Sequence, residues 1–304
     1  MPIRKAHLAW AGAAAIAAVA VGCAGRATAR SNSKDPVRDW RAPAATIAAL
    51  AHDHPVLARH AMVVTSQHLA TEVGLHILKE GGNAVDAAVA VGYALAVVHP
   101  CCGNIGGGGF MMIHLAGGKN VFLDFRETAP LRATPTMYLN AAGNIVPGRS
   151  TETYLSVGVP GTVMGLDAAL HKYGTMTRQQ VMAPAIRLAR DGYVLEQGDV
   201  DLLNTHVKEF AKHPNVAAIF LNHGKPYVAG QRLRQPQLAR TLELISRDGK
   251  RAFYRGPIAR AVVAASQAHG GILSMRDFAA SSRAQSRSPC PGPDRTSSAC
   301  PAWR

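Results

Sequence analysis

The sequence predicts a mixed α/β fold of the α+β kind, with two helices and a β-hairpin ahead of a largely helical second half. Three observations carry this. "NAVDAAVAVGYALAVVHP", residues 83–100, is apolar on every side as far as Val98, the mark of a helix that lies inside a protein. "FMMIHL" and "VFLDFRE" are strand-like runs joined by Gly117-Gly118, the pattern of an antiparallel hairpin. From residue 161 onward helical periods recur between cap and stop residues.

Taken in order, structure starts near Met62 with an amphipathic helix in "TSQHLATEVGLHILKEGG". Leu69, Ala70, Val73, Gly74, Ile77 and Leu78 form its apolar stripe, Ser66 is the expected N-cap, and Gly81 and Gly82 are the stop. Asn83 caps the buried helix that follows, with Asp86 in its first turn and Pro100 beyond its end. "GNIGGGGF", residues 103–110, then separates this helix from the hairpin. Gly117-Gly118 suits a type I′ turn, which needs positive φ at both positions. Alternation along the second strand sets Val121, Leu123 and Phe125 on one face and Phe122, Asp124 and Arg126 on the other.

Downstream, "GTVMGLDAALHKYG" ends at Gly174 and "TMTRQQVMAPAIRLARDG" has Thr177 and Gln180 spaced as a capping box, Gly192 as a stop and Pro184 inside as a kink site. Further helices are expected at 235–247 and 257–269, with Ser274 and Asp277 opening a short one. From residue 281, "SSRAQSRSPCPGPDRTSSACPAWR" has no hydrophobic period and reads as a low-complexity tail that does not pack.

With 48% hydrophobic and 17% charged residues, the 304-residue chain can bury a sizeable core. The net charge of +14 is spread along the chain with no basic run flanked by aromatics, so a nucleic-acid partner is not expected. At the N-terminus, Arg4 and Lys5 precede an Ala/Val-rich run too short for a comfortable membrane span, which reads as an export signal over residues 1–29. "AVGC" resembles a bacterial lipobox with Cys23 as the lipidated residue, although Ala20 stands where Leu is usual. "ATA" at 27–29 fits ordinary small-x-small cleavage. Both outcomes place the mature protein in the periplasm or otherwise outside the cytoplasm, and residues 30–59 read as a linker.

No Cys/His spacing suggests zinc, and no metal or organic cofactor is expected. His52, Asp53, His54 and His60 read better as a solvated loop than as a metal site. Cys101 and Cys102, being adjacent, cannot easily bond to each other without strain. The glycine run is no phosphate cradle: its order is helix, glycines, strand, and no Lys-Ser or Lys-Thr follows. Its structural use is to turn through positive φ and to pack backbone closely against a neighbour. Read from the residues alone, Arg126 forms a salt bridge with Asp124.

"EGGNAVDAAVAVGYALAVVHPCCGNIGGGGFMMIHL", "LDFRETAP", "VGVPGTVMGLDAALHKYG", "PAIRLARDGYVL" and "GGILSMRDFAA" together resemble the large-subunit half of gamma-glutamyltranspeptidases over residues 60–280. The resemblance implies an N-terminal nucleophile hydrolase, an αββα sandwich made by a self-cleaving precursor. A Thr at the head of the small subunit would attack the γ-glutamyl amide of glutathione or a similar compound, and water or an amino acid would accept the glutamyl group. It also implies that Arg126 holds the donor's α-carboxylate, a bidentate task suited to a planar guanidinium, in place of the salt bridge. The glycines then shape the floor beside the site.

The chain departs from that pattern. No Thr-Thr pair occurs in it, whereas the family nucleophile lies in a Thr-Thr-His-x-Ser/Cys motif. After "DFAA" the family continues Y-x-x-x-E-R-x-P, and here the low-complexity tail stands instead, as a frameshift or premature end would produce. The expectation is a chain with no catalytic residue of its own, inactive without a small subunit from the same precursor. The alternative is an exported, non-catalytic module that binds γ-glutamyl or α-amino acid ligands through Arg126. Without the partner half, both the hairpin face and the helix at 84–98 are expected to lack cover.

Overall fold

The computed structural model describes residues 56–281 and a strand at Gln285–Arg287, and the fold belongs to the unit Ala58–Arg304. The export signal with Cys23, most of the linker with His52, Asp53 and His54, and Cys290 and Cys300 lie outside the described residues.

Helix α1, His68–Lys79, buries the stripe Ala70, Val73, Gly74 and Ile77. Its cap is Gln67, not Ser66: Gln67 Oε1 accepts the N–H groups of Leu69 at 2.7 Å and Ala70 at 3.4 Å. The longer amide side chain reaches back to the same orphan donors that a serine would satisfy. Helix α2, Ala84–Val98, starts at the expected cap Asn83, which forms a capping box with Asp86, and is buried around its circumference, from Val85 and Val89 to Tyr93 and Val97. Helices α3, Thr162–Tyr173, and α4, Arg178–Asp191, pack on α2, and α8, Pro236–Asp248, packs on α4. The apolar cover of α2 is therefore supplied within this chain, against the expectation that it would stand bare. Each fully buried Val, Leu or Ile in this layer contributes about 1.5–3 kcal/mol.

Asp86 ties the layer together. Its carboxylate accepts the N–H of Asn83 at 2.8 Å, the N–H and hydroxyl of Thr175 at 2.9 and 2.7 Å, and the N–H of Met176 at 3.1 Å. Gly174 leaves room for it, since a Cβ there would sit 2.6 Å from Asp86 Oδ1. Burial pushes the carboxyl up, but those donors outweigh it and hold Asp86 below the ordinary value of 3.8.

Strands β1, Phe110–His114, and β2, Asn120–Asp124, form the predicted antiparallel hairpin, with Met112 opposite Phe122. The turn differs from type I′. Only Gly118 has positive φ, at 80°, and its N–H donates to Leu115 O at 2.8 Å. This is the longer hairpin turn in which one glycine takes the left-handed position. Val121, Leu123 and Phe125 are buried as alternation requires, and Phe110 and Met112 on the other face are 54% and 61% exposed. Part of the tail does pair: β5, Gln285–Arg287, runs antiparallel to β2 with Ser286 opposite Leu123, giving a three-stranded sheet in the order β1-β2-β5.

The expected helices of the second half are present, with α4 capped by Thr177 and Gln180, continuing through the buried Pro184 and ending at Gly192, φ 78°. Helices α10, Pro257–Ala268, and α11, Met275–Ala280, follow, the latter boxed by Ser274 and Asp277. Between α4 and α8 lie short elements that the sequence reading passed over. They are β3, Tyr193–Val194, paired with β4, Arg232–Leu233, and helices α5, Gln197–Asn204, α6, Val207–Phe210, and α7, Pro214–Phe220. Helix α9, Lys250–Tyr254, sits between α8 and α10. No helix among the described residues is long and apolar enough to cross a membrane.

Candidate functional site

The glycine run packs against the segment that follows β2. Gly109 and Phe125 exchange backbone hydrogen bonds at 3.3 and 3.0 Å, and Gly107 O accepts the N–H groups of Gly161 and Thr162 at 2.7 and 3.0 Å. A Cβ on Gly108 would lie 2.6 Å from Phe125 O and 2.7 Å from Glu127 N. Added Cβ atoms on Gly161 and Gly165 would collide with the Phe125 carbonyl and ring. None of Gly106 to Gly109 has positive φ. Close backbone approach, rather than a left-handed turn, is what these positions require.

Four glycines thus clamp Phe125 from both sides, which fixes where Arg126 leaves the sheet. Arg126 is exposed and lines a cavity of about 450 Å³ with Asp124, Thr128, Pro160, Gly161 and Asp277. The expected Arg126–Asp124 ion pair is absent among the described residues. Asp124 Oδ1 instead accepts the backbone N–H of Arg126 at 3.1 Å, a two-residue Asx-type turn that fixes the backbone and leaves the guanidinium unengaged.

The rest of the cavity is braced by contacts between distant parts of the chain. Asp277 accepts the N–H of Leu131 at 2.7 Å and the N–H and hydroxyl of Ser274 at 2.6 and 2.7 Å. Burial raises its pKa, and these bonds together with Arg276 outweigh that and bring it below the ordinary value. Tyr254, buried in α9, donates its hydroxyl to Pro160 O at 2.7 Å and accepts the N–H of Met164 at 3.3 Å. Burial drives its phenol pKa up, so it stays a neutral donor. Thr128 and Ser281 hydroxyls meet at 2.6 Å. The cavity presents one free guanidinium beside the carboxylates of Asp124, Glu127 and Asp277, and the order of its parts is set by hydrogen bonds that no local pattern reveals.

A second grouping lies at the other end of α2. The N–H groups of Cys102 and Gly103 donate to His99 O at 3.1 and 2.8 Å, and Cys101 and Cys102 are joined by a disulfide. The bond that adjacency was expected to disfavour is therefore present. His99 Nε2 lies 3.4 Å from Cys101 Sγ. The ligand atoms of His99, Cys101 and Cys102 all fall within 4.8 Å of one another, a set that could hold a metal ion only with the disulfide reduced. The H-x-C-C spacing was the available signal, missed because it matches no CxxC frame. His60 is exposed.

The gamma-glutamyltranspeptidase family model matches residues 70–291, a span that runs past residue 280. The glutathione hydrolase proenzyme of Pseudomonas sp. (strain A14) is 59% identical over 225 residues, covering 74% of this chain and 39% of that protein. The glutathione hydrolase proenzyme of Escherichia coli (strain K12) is 47% identical over 240 residues, covering 79% of this chain and 41% of that one. The crystal structure of Helicobacter pylori gamma-glutamyltranspeptidase superposes with a TM-score of 0.74 at 44% identity, covering 77% of this chain and 67% of that chain. The chain thus spans about two fifths of the length of these curated relatives, and its fold is of the N-terminal nucleophile hydrolase class. By the family match, the sequence identities and the superposition together, this chain belongs to the gamma-glutamyltranspeptidase family.

Proposed function

We propose that the chain is the donor-holding half of an enzyme that transfers γ-glutamyl groups from glutathione or related amides to water or amino acids. Arg126 takes the donor's α-carboxylate through two parallel N–H···O bonds. The observation that carries this reading is an exposed guanidinium, free of ion pairs among the described residues, on a cavity whose backbone is fixed by glycines. Asp124 holds the Arg126 backbone, and Tyr254 holds Pro160 and Met164 across the cavity.

The attacking hydroxyl comes from elsewhere. These 304 residues contain no Thr-Thr pair, so the chain alone binds a donor without turning it over, and a small subunit supplies the nucleophile. Export through residues 1–29, with Cys23 lipidated and the domain at 60–280 outside the cytoplasm, belongs to the same reading.

Calorimetry of the full chain with glutathione tests it. We expect binding that weakens about 10–100-fold in R126Q, the range for losing a charge-assisted pair, and no release of glutamate above background. Equal affinity in R126Q would overturn the assignment of Arg126, and glutamate release by the purified chain would overturn the need for a partner.

A further inference from the structure

We propose that His99, Cys101 and Cys102 form a thiophilic metal site that is closed by the Cys101–Cys102 disulfide and opened by its reduction. The inference does not depend on the role given to Arg126. A disulfide between sequence neighbours closes no length of chain, so it removes almost no freedom from the unfolded state and is a poor staple. Both cysteines are exposed, so their sulfurs are open to attack by a dissolved thiol. Chemistry rather than stability is the use left for such a pair.

The three ligands are already gathered. Their donor atoms lie within 4.8 Å of one another, and the His99 carbonyl holds the turn through the N–H groups of Cys102 and Gly103. Gly103 makes that turn possible, because a Cβ there would lie 2.7 Å from Leu95 Cβ. Two thiolates on one tetrahedral ion sit about 3.8 Å apart, given metal–sulfur bonds of about 2.3 Å, a separation that side-chain rotation supplies once the bridge is open. Imidazole with two thiolates suits Zn²⁺ among divalent ions. Three protein ligands leave a fourth position for water, and His99 and Cys101 border a cavity of about 300 Å³ that Asp199 and His206 also line.

Opening consumes two low-molecular-weight thiols. One thiolate attacks a bridge sulfur, the S–S bond breaks and a mixed disulfide forms. A second thiol then releases the oxidised pair RS–SR and leaves two cysteine thiols. A divalent ion displaces both thiol protons as it binds, with His99 neutral.

The test uses the full chain with Cys23, Cys290 and Cys300 replaced by Ser, titrated with Co²⁺ alone before and after reduction and removal of the reductant. We expect about one Co²⁺ per reduced chain with a thiolate-to-metal charge-transfer band, no band in the oxidised chain, and affinity weakened at least about tenfold in H99A and in C102S. Circular dichroism of the metal-free variants checks folding, and the oxidised-versus-reduced comparison needs no variant at 99–102. A reduced chain without the band, or H99A binding like its parent, would overturn the site. Two free thiols found before any reductant is added would overturn the gate.

Discussion

The layer around α2 and the outer face of the β1–β2 hairpin both carry large apolar side chains but meet opposite outcomes. On α2, Val89 and Val97 are fully buried, and the helix's one charge, Asp86, has a donor for each of its lone-pair directions. On the hairpin, Phe110 stacks on Phe122 at 5.5 Å between ring centroids, yet Phe110 and Met112 remain more than half exposed. The helical layer is complete within this chain. The hairpin completes only its inner side, and the difference locates where a partner would add cover.

The sharpest way to break the comparison is D86A. It removes the acceptor of four donors, two of them on the exposed Thr175, where water can take its place; stranding the other two at about 1–3 kcal/mol each gives an expected loss of about 3 kcal/mol in denaturant unfolding. Because the folded pKa of Asp86 lies below its ordinary value, its contribution is full at neutral pH and fades as pH falls below about 4. The parent should therefore lose stability on acidification more steeply than D86A. Next in size is G165A, whose added methyl meets the Phe125 ring. Overpacking there should cost about 2 kcal/mol and, by moving Phe125, weaken ligand binding at Arg126 as well. Smallest is M112S on the open face, expected to change unfolding by no more than about 0.5 kcal/mol while reducing concentration-dependent self-association in sedimentation. A large stability loss in M112S would mean that the outer face is not open.

What was legible in the sequence was whatever depends on near neighbours. The Asn83 cap, the Thr177 and Ser274 capping boxes, the stops at Gly174 and Gly192 and the inward set Val121, Leu123, Phe125 follow from spacings of a few residues. The short elements between residues 193 and 233 were not legible, because two-residue strands and helices of one or two turns carry too little period to see. The cavity was half legible. Arg126 and the glycines stood out, but Asp277 to Leu131, Ser281 to Thr128 and Tyr254 to Pro160 join residues 146, 153 and 94 positions apart. Such bonds are products of the tertiary fold, with no local signature. The Arg126–Asp124 pair was misread because strand alternation places two side chains on one face without telling whether a backbone N–H claims the carboxylate first.

Strand β5 is held to β2 by peptide groups, with Gln285, Ser286 and Arg287 opposite Asp124, Leu123 and Phe122. Main-chain recognition is indifferent to which residues are threaded through it, provided that the stretch stays extended and keeps proline out of the bonded positions. This stretch can consequently drift in composition with little penalty to the sheet, while the guanidinium two residues beyond Asp124 keeps its bearing.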